Sequence, residues 1–291
     1  MHSVQYHRPK TLDECLELFD RFGQVARALA GGTDLLVQMR AGHRRNGVVI
    51  DVKQVPELNE LRYGASDGLT LGAAVPCYRI YGDAIVSRAY PGLIDTVSMI
   101  GGTQIQGRAS VGGNLCNAAP SADAVPALIA LRAVCRIASV RGARELPVDQ
   151  FCIAPGRNAM ADNEVLVSLH VPPPPERSGA CYLRFIPRNE MDIAVAGAGV
   201  SVTLGNGTFR DGRVALASVA PTPLLVEEAG VALCGQPVEH EVIAKAAAAA
   251  KAAARPITDM RGTAEYRKHL CEVLTRRALE KAVLRAGGTL A

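Results

Sequence analysis

Adjacent glycines occur twice in this chain in the same local setting, and that repetition constrains it more than any other feature. Residues 110–123 read Ser-Val-Gly-Gly-Asn-Leu-Cys-Asn-Ala-Ala-Pro-Ser-Ala-Asp, and residues 30–35 read Ala-Gly-Gly-Thr-Asp-Leu. A glycine pair can bring main-chain N–H groups close to an anion with no Cβ in the way. A helix opening behind each turn adds its dipole, and the hydroxyls of Thr33 and Ser110 can donate as well. Two such turns in 291 residues predict a backbone cradle for a diphosphate, and so a bound dinucleotide. Neither turn has the Gly-Lys-Ser/Thr of a Walker loop or the Gly-x-Gly-x-x-Gly spacing of a Rossmann turn. Two ordinary loops remain the alternative reading of the residues alone. If the cradle is real, a β-branched residue at Gly32 or Gly112 is expected to put Cβ where the diphosphate lies, with the fold left intact.

Composition excludes other classes. Hydrophobic residues make up 48% and charged residues 21%, a balance that suits a folded chain with two or three small cores. Lys+Arg number 32 against 28 Asp+Glu, too small and too scattered a surplus for a nucleic-acid partner. No apolar run reaches the roughly 20 residues needed to span a bilayer. The opening Met1-His2-Ser3-Val4-Gln5 has no apolar signal core, so a cytoplasmic protein without a membrane partner is expected. The eight cysteines are nowhere closer than 17 positions, and neither they nor the six histidines show metal-ligand spacing. They read as small buried apolar side chains, Cys116 among them, and no metal site is expected. No histidine adjoins either glycine turn, the nearest being His43, so no tether for a covalent cofactor is visible there.

Periodicity and turn signals divide the chain into three: 1–57, 58–175 and 176–291. In the first, Thr11-Leu12-Asp13-Glu14 is a capping box, with strands at Val25–Ala30 and Val48–Val52 and a helix opening at Thr33 or Asp34. In the second, Leu61–Tyr63 and Leu69–Leu71 flank Gly64-Ala65-Ser66-Asp67-Gly68. That loop has the spelling of a nucleophile elbow but lies between two strands, so it reads as a hairpin turn. Helices follow at Gly92–Ile100 and Ala124–Arg132 and strands at Val134–Val140 and Val165–Val171, before Pro172-Pro173-Pro174-Pro175 forms a stiff linker. The third part predicts strands at Cys181–Ile186, Ile193–Leu204 and Arg213–Val219, and helices at Lys245–Arg255 and Thr263–Arg285.

Beyond the turns, the order of several segments resembles one family. Ala30-Gly31-Gly32-Thr33-Asp34-Leu35-Leu36 and Ala109-Ser110-Val111-Gly112-Gly113-Asn114-Leu115 are similar to the first and second FAD motifs of the FAD-binding medium subunit of molybdenum hydroxylases. That is the family of xanthine dehydrogenase and carbon monoxide dehydrogenase. The resemblance extends through Asn117–Asp123, Arg188–Ala194, Ala264–Arg267 and Arg276–Ala278, nearly the whole chain.

The resemblance implies an α+β protein. Two α/β subdomains of the vanillyl-alcohol-oxidase (PCMH) type clasp FAD, and a C-terminal cap of a three-stranded sheet and helices follows. It implies that Leu29, Ala30, Gly31, Gly32, Thr33, Asp34 and Leu35, with Ser110, Val111, Gly112, Gly113 and Asn114, wrap the pyrophosphate. Ile100, Gly101 and Leu166 match residues of the cofactor cleft, and Asp123 an acidic residue that bonds the cofactor. Arg184 matches a basic residue near the flavin ring, and Ile193 the residue on the ring face, where other members have Tyr. Relatives of the 4-hydroxybenzoyl-CoA reductase type carry an inserted, cysteine-rich loop for an extra iron–sulfur cluster, and this chain lacks it. The implied function is an electron-transfer subunit with non-covalent FAD. A large subunit would hold the molybdenum cofactor and a small one two [2Fe-2S] clusters, with NAD⁺ or another compound as acceptor. A non-redox nucleotide-binding module and a self-sufficient flavin oxidase are the rival readings.

Overall fold

The computed structural model describes residues 3–42 and 47–291. His43 lies outside the described residues, as do Met1 and His2.

The N-terminal unit runs β1 (Gln5–His7), α1 (Leu12–Phe22), β2 (Ala26–Leu29), α2 (Leu35–Arg40) and β3 (Val48–Asp51). Its parallel sheet has the order β1-β3-β2. All four residues of central β3 are buried, which is why Val48-Val49-Ile50 is apolar without alternation. The capping box at α1 forms with one difference. Thr11 Oγ1 accepts from Glu14 N at 3.2 Å, while Glu14 Oε2 accepts from Lys10 N, one residue before the expected partner.

The middle unit contains β4 (Leu61–Gly64), β5 (Gly68–Gly72), α3 (Cys77–Gly82), α4 (Ala84–Ala89), α5 (Pro91–Val97), α6 (Thr103–Gln106), α7 (Val111–Cys116) and α8 (Ala124–Ala130). It continues with β6 (Val134–Ser139), β7 (Gly142–Pro147), β8 (Cys152–Ala154), β9 (Arg157–Asn158) and β10 (Val165–Val171). Its antiparallel sheet has the order β4-β5-β10-β6-β7, with β8 and β9 paired apart as a small hairpin. Gly64 pairs with Gly68, so the Gly64–Gly68 loop is a hairpin turn and no nucleophile elbow. A bulge interrupts β10 between Leu166 and Ser168, a device that re-aims side chains beside binding sites. α5 stops three residues short of the expected Ile100, because the chain turns at Gly101, where φ is +62°.

The cap holds β11 (Ser178–Phe185), β12 (Ala196–Gly205), β13 (Thr208–Ala217) and β14 (Leu224–Leu225), then α9 (Glu227–Leu233), α10 (His240–Ala253) and α11 (Ala264–Arg285). The expected three-stranded sheet gains a fourth, two-residue strand, because Leu224-Leu225 pairs with Ala215-Leu216. Prolines at 221 and 223 hid that strand in the sequence. α9, opened by Glu227-Glu228, is a further helix that the periodicity did not reveal.

α8 joins the layers. Every one of its residues is buried, because the middle unit's core, with α5 and α7, covers one side and the cap sheet the other. Contact with β12 is so close that a Cβ at Gly199 would sit 2.5 Å from the Pro126 carbonyl carbon. The N-terminal core is shared in the same way: Ala74, Ala138, Val165 and Val167 of the middle unit pack among Cys15, Phe19, Val48 and Ile50. Among the described residues, no helix is long and apolar enough to cross a membrane.

Candidate functional site

Where the N-terminal and middle units meet, a cavity of about 490 Å³ opens, and both glycine turns form its wall. Parallel β2 delivers the first turn. The chain leaves the sheet at Leu29, bends at Gly32 with φ +78°, and enters α2, Leu36 N donating to Gly32 O at 3.0 Å. The second turn is the start of α7. Ser110, extended at φ −124°, caps that helix by accepting from Gly113 N at 3.0 Å on its Oγ. Amides of Val111 and Gly112, at the first two helical positions, are left without an intrahelical acceptor.

The four glycines have different reasons to be glycine. A Cβ at Gly31 would fall 2.2 Å from Arg108 O, so the two turns lie backbone against backbone. A Cβ at Gly112 would fall 2.4 Å from Ala73 O. The expectation that Gly112 leaves room for a diphosphate is therefore corrected: protein already fills that space, and a β-branched residue there would disturb the fold. At Gly113 an added Cβ would approach only Ser110 Oγ, at 3.0 Å, and Gly113 lines the cavity. Apart from that hydroxyl, no protein atom stands within 4 Å of where the side chain would begin, which suits a group bound against the backbone. Charge points the same way. The cavity wall carries Arg27 and Arg157 against Asp34, Asp162 and Glu164, and no lysine. Glu164 is taken up by Arg144 at 2.7 and 2.8 Å. A diphosphate would thus depend on amide N–H groups and helix dipoles more than on ion pairs. Asp34 is exposed as a residue, yet the groups around its carboxyl partly desolvate it and raise it above the usual range.

Ala30–Leu35, Ile100, Ser110, Gly112, Gly113, Asn114 and Leu166 all line the cavity. Leu29, Gly101, Val111, Asp123, Arg184 and Ile193 do not. Leu29 ends β2, and Val111 turns into the core at 1% exposure. Gly101 adjoins Ile100 and accepts at its carbonyl from Met191 N, which brings the 188–193 loop onto that end of the cavity. Ile193 is half exposed on that loop, with its N–H held by Asp192 Oδ1. Asp123 is committed elsewhere. Tyr182 Oη donates to its Oδ1 at 2.7 Å and Arg184 Nη1 to its Oδ2 at 2.6 Å, at the buried contact between α8 and β11. Burial pushes the Asp123 carboxyl up to about 6, against the pull of Arg184 and Tyr182. One link runs from this group to the cavity: Asn114 Oδ1 accepts from Ala124 N, next in sequence to Asp123.

Several wall residues were not legible beforehand. Gln38 Nε2 donates to Asn117 Oδ1 at 3.0 Å, bridging α2 to the segment after α7. The β8–β9 hairpin contributes Gly156, Arg157 and Asn158, fixed by Asn158 Nδ2 donating to Cys116 O at 2.9 Å. Pro155-Gly156 is a turn signal, but nothing local directs it to this cavity. Cys116 also lines the wall. Burial, and then Cys152 nearby, push its thiol up to about 12, so it stays protonated and behaves as a small apolar side chain.

Known proteins share this architecture from end to end. Residues 2–174 match the FAD binding domain in molybdopterin dehydrogenase, and residues 181–282 the CO dehydrogenase flavoprotein C-terminal domain. The xanthine dehydrogenase FAD-binding subunit of Escherichia coli O157:H7 is 32% identical over 288 residues, covering 99% of this chain and 98% of its own. The carbon monoxide dehydrogenase medium chain of Afipia carboxidovorans is 32% identical over 285 residues, covering 98% of both. Among solved structures, a chain of carbon monoxide dehydrogenase from Hydrogenophaga pseudoflava superposes with a TM-score of 0.93 at 31% identity, over 98% of each chain. A chain of quinoline 2-oxidoreductase from Pseudomonas putida 86 follows at 0.90 and 25%, again over 98% of each. Motifs, cavity and whole-length likeness agree: this chain belongs to the FAD-binding subunits of the molybdenum hydroxylases, the family of the xanthine and carbon monoxide dehydrogenases.

Proposed function

We propose that this chain carries electrons between an iron–sulfur partner and a soluble acceptor, with FAD held non-covalently in the 490 Å³ cavity. The observation that carries the proposal is that both glycine turns, 80 residues apart, wall one cavity that also holds Ile100 and Leu166. Bound FAD supplies the redox chemistry, able to take electrons singly and release them as a pair. The protein binds and orients. Gly31–Asp34 and Ser110–Gly113 would hold the diphosphate through main-chain N–H groups, with Thr33 Oγ1 and Ser110 Oγ as further donors. Leu29 and Val111 anchor those segments from behind. Leu166, turned by its bulge, and Ile100 with Gly101 would wall the cleft and exclude water. Asp123 and Arg184 act on the site through Asn114, and Ile193 belongs to the loop covering the Ile100 end.

The partners proposed are a large subunit with the molybdenum cofactor and a small one with [2Fe-2S] clusters, and the acceptor is NAD⁺ or an equivalent oxidant. We place the complex in the cytoplasm, and divide this chain into FAD-binding subdomains at 1–57 and 58–175 and a cap at 176–291. Heat-denaturing the purified chain tests cofactor and linkage together: FAD should appear in the supernatant. Mixing the intact chain with its partner subunits tests the role, since their substrate should bleach the flavin only in the assembled complex. Substrate turnover by the chain alone would contradict it.

A further inference from the structure

A second cavity, of about 580 Å³, lies where the middle unit meets the cap, and shares no wall residue with the first. Its wall carries four arginines, Arg88, Arg132, Arg177 and Arg285, against one carboxylate, Asp211. Two of the four are neutralised: Arg132 Nη2 lies 2.6 Å from Asp211 Oδ2, and Arg285 Nη2 lies 2.8 Å from Asp95 Oδ1. Arg88 and Arg177 have no ion pair or side-chain hydrogen bond among the described residues. Two exposed arginines thus border one cleft with no carboxylate partner among the described residues.

The cleft is rigid. Pro172–Pro175 form one wall, and Tyr90 Oη pins its start by donating to Val171 O and Pro172 O at 3.2 and 3.0 Å. Ser178 Oγ donates to Pro175 O at 2.6 Å, and Leu204 N to Arg177 O at 3.0 Å, so the backbone carrying Arg177 is held on both sides. Arg177 sits at φ +54°, in the left-handed region. Arg132, at φ +58°, is accounted for by the end of α8, where Ala133 N returns to Leu128 O. Arg177 is accounted for by its own turn, Pro175–Ser178, in which it stands third. The helix ends that point here do not oppose an anion strongly. Ser201 Oγ donates to Ala130 O and Arg213 Nε to Ile129 O, while Ala286, Gly287 and Gly288 N–H groups cap the end of α11.

We infer that this cleft binds a small phosphorylated metabolite of about mononucleotide size, with Arg88 and Arg177 as its charge contacts. The volume lies within the range of small-molecule sites, and a guanidinium fork matches two oxygens of a phosphate. Pyrophosphate is the probe, titrated calorimetrically into the FAD-loaded chain so that the glycine cradle is already filled, against sodium chloride of equal ionic strength. Saturable binding with a Kd of about 10 µM to 1 mM is expected. It should weaken about tenfold or more in Arg88→Gln with Arg177→Gln, exposed positions whose loss leaves melting and FAD content unchanged. Non-saturating heats, unchanged affinity in the double variant, or flavin released into the filtrate would each overturn the assignment. If pyrophosphate does not bind and the double variant instead weakens assembly with partner subunits, the cleft is a docking surface for an acidic segment.

Discussion

The two glycine turns share a spelling but do different physical work. In the first, Gly32 is required by its backbone, at φ +78°, and Gly31 by contact with Arg108 O. In the second neither glycine has positive φ; Gly112 is required by contact with Ala73, and Gly113 by the cavity it faces. The first turn is a bend at the end of a parallel strand, and the second is a helix start capped by Ser110. One cavity wall is thus assembled from unlike local structures that share only the glycine pair. Only Gly113 is glycine chiefly for the cavity's sake.

Three substitutions test that contrast. The largest effect belongs to Gly112→Val, which forces side-chain atoms into the Ala73 backbone. Urea unfolding should show a loss of about 3 kcal/mol or more, with FAD lost as a consequence of unfolding. An unfolding midpoint like the parent's would mean that Ala73 can move away. Next comes a pH effect confined to the second turn's side, where Asp123 lies behind α8. Burial raises its carboxyl to about 6, above the ordinary value near 3.9, so the native state holds a proton the unfolded chain has released. This contribution is therefore fully present below about pH 4 and falls away as pH rises through about 6, a span of about 3 kcal/mol. Asp123→Asn should remove that part of the stability–pH curve, and an identical curve would contradict it. Smallest is Gly32→Ala, for which positive φ and Leu29 Cδ1 at 2.9 Å predict a loss of about 1–2 kcal/mol by thermal melting.

Much of this was legible in the sequence, for reasons that differ by region. β10 runs from Val165 to Val171 as predicted, because a mostly buried strand leaves a β-branched, apolar run that only Ser168 and His170 interrupt. β14 did not show, since two residues directly after a pair of prolines carry no period. The glycine turns pointed to the cavity because their signal is local. Gln38, Asn117 and the 156–158 segment were not legible, since they reach the wall only through tertiary contacts across 42 to 79 positions of sequence. Asp123 and Arg184 were singled out by family likeness as cofactor contacts, while the structure pairs them with each other. Sequence likeness transfers positions, but the atom a side chain touches depends on packing around it.

The central claim is that the turns hold FAD through open backbone, and Gly113→Ala tests it most directly. One methyl group would enter the cavity without meeting protein backbone, and alanine favours a helix over glycine by up to about 1 kcal/mol. Comparing FAD affinity, by fluorescence titration of the flavin-free chain, with that chain's melting temperature separates binding from folding. The prediction is an unchanged or slightly raised melting temperature together with FAD affinity lowered about tenfold or more. Parent-like FAD affinity in a folded Gly113→Ala chain would contradict the claim.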